Sequence, residues 1–315
     1  MSESRDITFD IIKGFGVILI IAGHTLGYEN AAYPFIYVFH VPLFFLVSGF
    51  FYKHQELRNQ LKKDFRRLLL PYFFVTLVEV VLVVLFEYFI KHHLCIPIQL
   101  FWSSISPVWF LLALFFIRFL FNFLLRCIPR HALEGAFLIS SFFLFLTHRY
   151  SILMPFSFSS AGGSLIFFAI GYYIKRYRIL ERVQNKSSWL VPIALLFWTN
   201  SAVNGKVDTF MNEYKLWVLD YVGAISGVYL TFLISKYVAM RCRGFASLLS
   251  KAGFYSLVII CFHSIEFIFP QWFQILFFLP SSLLLFSIFV VRLLMLSLLV
   301  WVSLRVRILR MIFCL

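Results

Sequence analysis

Three ionisable residues stand in the first apolar stretch of the chain: Asp10, Lys13 and His24. Eleven positions separate Lys13 from His24, close to three full helical turns. On a helix the two side chains therefore share one face, about 16 Å apart along the axis. Asp10 lies one turn before Lys13 and is placed to pair with it. An imidazole has an ordinary pKa near neutrality, so His24 suits the removal of a proton from a hydroxyl. Plainer explanations exist for each residue alone. Lys13 can snorkel to headgroups with Asp10 as its counter-charge, and His24 can be an interfacial histidine bonded to a neighbouring helix. The shared face favours a joint role.

Other polar residues interrupt apolar surroundings. His40 precedes Pro42, where lining a cavity and capping backbone are equal expectations. Arg66 and Arg67 end a basic loop, suited either to phosphate groups or to setting topology. His263 and Glu266 are one turn apart and spaced to form a hydrogen-bonded pair. Arg118 and Arg292 fall in apolar runs and require polar partners. The five cysteines are scattered, with no Cys-x-x-Cys pair, so neither a disulfide framework nor a metal site is expected. Nor does the sequence hold a phosphate-cradling glycine loop or a serine triad.

The elements that must position these residues are helices in lipid. The chain of 315 residues is 62% hydrophobic and 13% charged, with 42 Phe. A soluble domain carries about 25% charged residues. Apolar runs long enough to cross a bilayer recur near residues 9–28, 34–52, 68–90, 107–127, 133–147, 155–174, 189–203, 216–235, 254–270 and 282–304. The fifth and seventh are short, and Gln271–Leu304 has room for a re-entrant piece broken at Pro280. Open strands in lipid would leave backbone groups unpaired. The expectation is an all-α, polytopic integral membrane protein of about ten transmembrane helices, forming one domain over 1–315.

Lys and Arg alternate across that arrangement. Twenty lie in the loops after the even-numbered spans and in the tail, against four (Lys91, Arg149, Lys206, Lys215) in the opposite loops. This bias places both termini in the cytoplasm and the chain in the inner membrane. The net charge of +14 is then topological, and nucleic acid is not an expected partner. No small-residue cleavage site follows the first apolar run, so no removable signal is expected.

The chain resembles the membrane acyltransferase-3 family. The resemblance rests on Asp10-Ile11-Ile12-Lys13-Gly14 with Ala22-Gly23-His24, then Phe39-His40-Val41-Pro42-Leu43-Phe44-Phe45 leading to Ser48-Gly49-Phe50. Arg66-Arg67 before Leu70-Pro71-Tyr72, Val108-Trp109-Phe110-Leu111, Phe167 to Tyr172 and Phe262-His263 follow in order. The resemblance implies an integral-membrane enzyme moving an acyl group, by default acetyl from acetyl-CoA, to a hydroxyl of a cell-envelope carbohydrate. No metal is implied. Lys13 and His24 match the family's basic–histidine pair, which makes His24 the expected general base or transient acyl carrier. Lys13, with Asp10, His40, Arg66, Arg67 and His263, is expected to bind donor or substrate. Some members carry an extra extracytoplasmic hydrolase-like domain. None is seen here, so activity is expected from the membrane domain alone. A secondary transporter or flippase is the main competing expectation, and a non-catalytic membrane scaffold or sensor the third.

Overall fold

A computed structural model describes residues 7–91, 108–183, 187–268 and 280–315. Along the chain run helices α1 (Ile7–Leu26), α2 (Tyr33–Tyr37), α3 (His40–Phe50) and α4 (Leu57–Asp64). A π-helical turn, Phe65–Leu69, leads into α5 (Leu70–Lys91). Then come α6 (Trp109–Cys127), α7 (Ala132–Tyr150), α8 (Phe158–Arg176), α9 (Ile179–Val183) and α10 (Ser187–Asn204). A short antiparallel hairpin, β1 (Val207–Asp208) with β2 (Glu213–Tyr214), precedes α11 (Val218–Arg241) and α12 (Arg243–Phe254). The chain closes with α13 (Ser256–Ile268), α14 (Ser281–Arg305) and α15 (Arg307–Ile312).

Among the described residues, six helical runs are long and apolar enough to cross a membrane: Ile7–Leu26, Tyr33–Phe50, Leu57–Phe86, Trp109–Cys127, Val218–Arg241 and Leu283–Arg305. A seventh is reached if α12 and α13, bent by 70° at their junction, count as one span. Helices α7, α8 and α10 form where the fifth, sixth and seventh spans are expected, but they are more polar than those six. The expected second span is two helices, interrupted at Val38–Phe39. The basic segment after the eighth span is also helical, since Arg243 and Lys251 lie on α12. Of the stretch Gln271–Leu304, residues up to 279 lie outside the described residues, and α14 begins directly after Pro280.

The described chain divides into two compact units, each built from non-contiguous segments. The first comprises residues to His54, Leu120–Leu153 and Gly162–Ser256. In it α1 lies against α12 with almost no side chain between them. A Cβ on Gly14 would collide with the Leu249 carbonyl, and one on Gly253 with the Asp10 carbonyl. Such small-residue contacts let helix backbones approach closely in lipid. Around the crossing, Ile11, Val238, Ala246 and Leu249 are buried together. Helices α3 and α8 repeat the device: Gly49 faces the Phe168 carbonyl and Gly171 the Leu46 carbonyl. Beside that crossing the rings of Tyr52, Phe121, Phe168 and Tyr172 pack edge to face. Asn122 Nδ2 donates to the Tyr52 hydroxyl at 3.0 Å, and Arg126 Nε to Asn122 Oδ1 at 2.7 Å.

The second unit comprises Gln55–Phe119, Met154–Ala161 and Leu257–Leu315. Here Arg118 finds the partner its position demands: its Nε bonds Asp64 Oδ1 at 2.9 Å, while Gln60 Nε2 donates to its carbonyl at 2.8 Å. Phe313 packs edge-on against Phe74 and tilted against Phe262.

A glycine at a crossing and one in open space carry opposite predictions. Gly49→Ala forces apart two backbones and is expected to destabilise by about 1–3 kcal/mol. Gly244→Ala, with open space around the added methyl, is expected to be neutral or stabilising by up to about 1 kcal/mol. Thermal unfolding of the purified variants in detergent compares them. Equal loss in both would contradict the packing account.

Candidate functional site

Helix α1 is uninterrupted from Ile7 to Leu26, so the three-turn spacing of Lys13 and His24 holds in the fold. At its first turns Lys13 Nζ bonds Asp10 Oδ1 at 2.8 Å, with the lysine side chain 26% exposed and the carboxylate 8%. Asp10 also lines a cleft of 340 Å3 with Ile7, Ser250, Lys251, Phe254 and Tyr255, where α12 meets α1. Two ammonium groups thus flank this end of α1, one already paired with a carboxylate.

At the other end His24 is half-buried, and its Nδ1 lies 3.3 Å from the Tyr37 hydroxyl. The two rings stand nearly perpendicular, with centroids 6.1 Å apart. Gly23 makes this meeting possible, because a Cβ there would lie 2.8 Å from the Tyr37 ring edge. Tyr37 is itself held by Tyr33, stacked at 3.6 Å, and by the His40 ring, edge-on at 4.5 Å. His40 is buried and its Nδ1 lies 3.0 Å from the Ile36 carbonyl. A carbonyl only accepts, so Nδ1 carries the proton. His40 therefore caps backbone and supports Tyr37. The same logic gives the condition for His24 to act as a base. If Nδ1–H donates to the Tyr37 oxygen, the lone pair of the neutral ring sits on Nε2.

The hairpin between α10 and α11 belongs to this end of the unit, since β1 packs against α2. Its Lys206 ammonium is pushed up by the hydrogen bond to Glu213, 2.8 Å away. Burial raises the Asp208 carboxyl, opposed by the backbone amides of Met211 and Phe210. The Tyr214 phenol is likewise raised by burial.

The remaining expected residues lie in the second unit. Arg66 and Arg67 are exposed on the π-helical turn. His263 is buried, with Nδ1 3.1 Å from Glu266 Oε2, and Arg292 Nε and Nη2 each lie 3.0 Å from Glu266 Oε1. The adjoining Ser264 hydroxyl donates to Glu79 Oε1 at 2.6 Å. Sequence reasoning identified the His263–Glu266 spacing but missed the Arg292–Glu266 and Ser264–Glu79 contacts, because α5, α13 and α14 are far apart in the chain. It missed Tyr37 as well. The one local signal was the four-residue spacing of Tyr33 and Tyr37, which puts both rings on one face. Among the described residues no group of three or more His, Cys, Asp or Glu side chains is arranged to hold a metal ion.

The buried Glu266–Arg292 pair generates a stability prediction. Arg292→Met alone leaves a carboxylate buried without its guanidinium, which costs about 3–5 kcal/mol. Glu266→Leu combined with Arg292→Met is expected to cost less than either single change, as read by denaturation in detergent. Additive losses would show that the pair does not act as a unit.

Comparisons with known proteins bear on the whole chain. A nodulation protein, NolL, from Sinorhizobium fredii (strain NBRC 101917 / NGR234) is 41% identical over 59 residues, covering 16% of this chain and 16% of that protein. The match thus spans a small part of that relative's length. No solved structure matches. The family model described as an acyltransferase domain matches residues 6–305, nearly the whole chain. The protein belongs to the acyltransferase-3 family.

Proposed function

We propose that this protein is an integral-membrane O-acyltransferase that moves an acetyl group from acetyl-CoA to a hydroxyl of a cell-envelope carbohydrate. In this reading residues 1–315 act as one acyltransferase domain in the inner membrane, with about ten spans and both termini in the cytoplasm. The observation that carries it is the unbroken helix α1, with an Asp10–Lys13 ion pair at one end and the His24–Tyr37 contact at the other, in a chain matched to this family over 6–305. A thioester and an alcohol exchange an acyl group when the hydroxyl oxygen attacks the thioester carbonyl and coenzyme A leaves as its thiol. His24 takes the hydroxyl proton through Nε2 and delivers it to the departing sulfur. The Tyr37 oxygen holds the ring in the tautomer this requires.

Lys13 serves the donor. Asp10 holds its ammonium in place at the mouth of α1, where anionic phosphates compete for it. The roughly 16 Å between Lys13 and His24 is comparable to an extended pantetheine arm, so a single helix spans both ends of the donor. Arg66 and Arg67, exposed on their turn in the second unit, are phosphate-binding residues of that unit in this reading. His263 belongs with the substrate-binding residues in this reading, and His40 acts through Tyr37.

Purified protein in nanodiscs, incubated with radiolabelled acetyl-CoA and envelope glycans, tests the reading. His24→Ala is expected to lower transfer by about 10²–10⁴-fold with folding intact. Tyr37→Phe is expected to lower kcat by about fivefold to thirtyfold, the loss of one hydrogen bond of about 1–2 kcal/mol. Lys13→Gln is expected to raise the donor KM with a smaller change in kcat. Full activity in His24→Ala would sink the proposal. An unchanged donor KM in Lys13→Gln would remove the donor-clamp role alone.

A further inference from the structure

The end of α7 and the hairpin enclose a second cavity of the first unit, 280 Å3 in volume. We infer that this cavity binds a neutral sugar ring and forms a subsite for a unit of the acceptor other than the one that reacts. The inference rests on the acyltransferase reading and adds to it the chemistry of a site remote from His24.

The chemistry of the wall selects the ligand. Ser151 presents a hydroxyl, His148 an imidazole and Glu213 a carboxylate, while Leu153 and Met211 line an apolar side and Thr147 and Asn212 bond each other behind them. A sugar ring has the same two characters, hydroxyls at its edge and C–H groups on its faces. An ionic ligand is poorly matched. The Glu213 charge is balanced by Lys206 at 2.8 Å, and the adjacent Arg149 lies over the Tyr150 ring at 5.6 Å. Recognition of this kind, a few placed polar groups in a largely preformed concavity, is the usual form of a small-molecule site.

The cavity is also held in shape. Asn212 Nδ2 donates to Thr147 Oγ1 at 3.0 Å, which fastens the hairpin turn to α7. Asp208 Oδ1 accepts from the Met211 amide at 3.0 Å and closes the turn itself. Three residues at this end are left-handed without being glycine: Ser151 (φ 52°), Asn212 (φ 52°) and Trp217 (φ 53°). Such conformations persist only where the surroundings impose them, and they gather at ligand sites. Trp217 stands edge-on to His148 at 5.2 Å, bringing an aromatic ring to the group that borders the cavity.

The hairpin links this cavity to the proposed base. Strand β2 packs on α7 and lines the cavity, whereas β1 packs on α2, which carries Tyr37, the partner of His24. A chain of sugars seated here extends along the hairpin toward His24.

Saturation-transfer NMR on the nanodisc protein tests the site, with glucose, galactose, rhamnose and N-acetylglucosamine as probes and glucose 6-phosphate as the charged control. At least one neutral hexose is expected to give signal on its ring protons. His148→Ala should weaken it about fivefold, the loss of one neutral hydrogen bond. Leu153→Trp, an exposed wall position, should abolish it by filling the cavity. His24→Ala should leave it unchanged. No signal from any hexose, signal indifferent to Leu153→Trp, or preference for the phosphate would overturn the site. Those results leave the acyltransferase reading standing, because it falls only if His24→Ala keeps transfer activity.

Discussion

Helix α1 can lie against α12 only because neither carries a side chain where they cross. Gly14 meets the Leu249 carbonyl and Gly253 meets the Asp10 carbonyl, so the two backbones approach without a layer of side chains between them. Lipid offers no hydrophobic drive for helices to associate, since its tails are as apolar as leucine. Close packing has to supply what water would otherwise supply. The crossing brings the ion pair of Asp10 and Lys13 beside the cleft that α12 helps to line. It also fixes the azimuth of α1, and with it the direction in which His24 leaves the helix three turns later.

The second demand on the fold is that charge in apolar surroundings must be partnered. Three sets of internal ions meet that demand within their own units: Asp10 with Lys13, Arg118 with Asp64, and Glu266 with Arg292 and His263. A buried pair of this kind contributes little net stability against a hydrophobic replacement, whereas half of one is costly. The polar clusters therefore do little for stability beyond what apolar packing supplies.

At the His24 end, aromatic rings pack around the imidazole. Tyr28, Tyr33, Tyr37 and His40 form a continuous stack and edge series in which the Tyr37 hydroxyl reaches His24. The Tyr37 phenol meets the imidazole at 3.3 Å without adding a negative charge. The break at Val38–Phe39 lets α2 turn its tyrosines toward α1 while α3 continues with its glycine face against α8. The hairpin packed on α2 then extends the polar surface of this end beyond the helices.

Much was legible in the sequence because the bilayer enforces it. A lipid-facing helix must be apolar for about 20 residues, so α1, α5, α6, α11 and α14 appear in the sequence within a few positions of where they form. Helical periodicity alone put Asp10 beside Lys13, His24 on the same face, and His263 beside Glu266, because those contacts lie within one helix. Family membership was legible too, from motifs distributed in order along the chain. What tertiary structure decided were the contacts between segments distant in sequence. Tyr37 reaches His24 through the fold of α2, and Arg292 reaches Glu266 across 26 positions. The division of the second span, the 70° bend after α12 and the cavity under the hairpin belong to the same class. Periodicity specifies which face of a helix is polar. Which neighbour that face meets depends on packing among several helices at once, and that is settled only when the backbones come together.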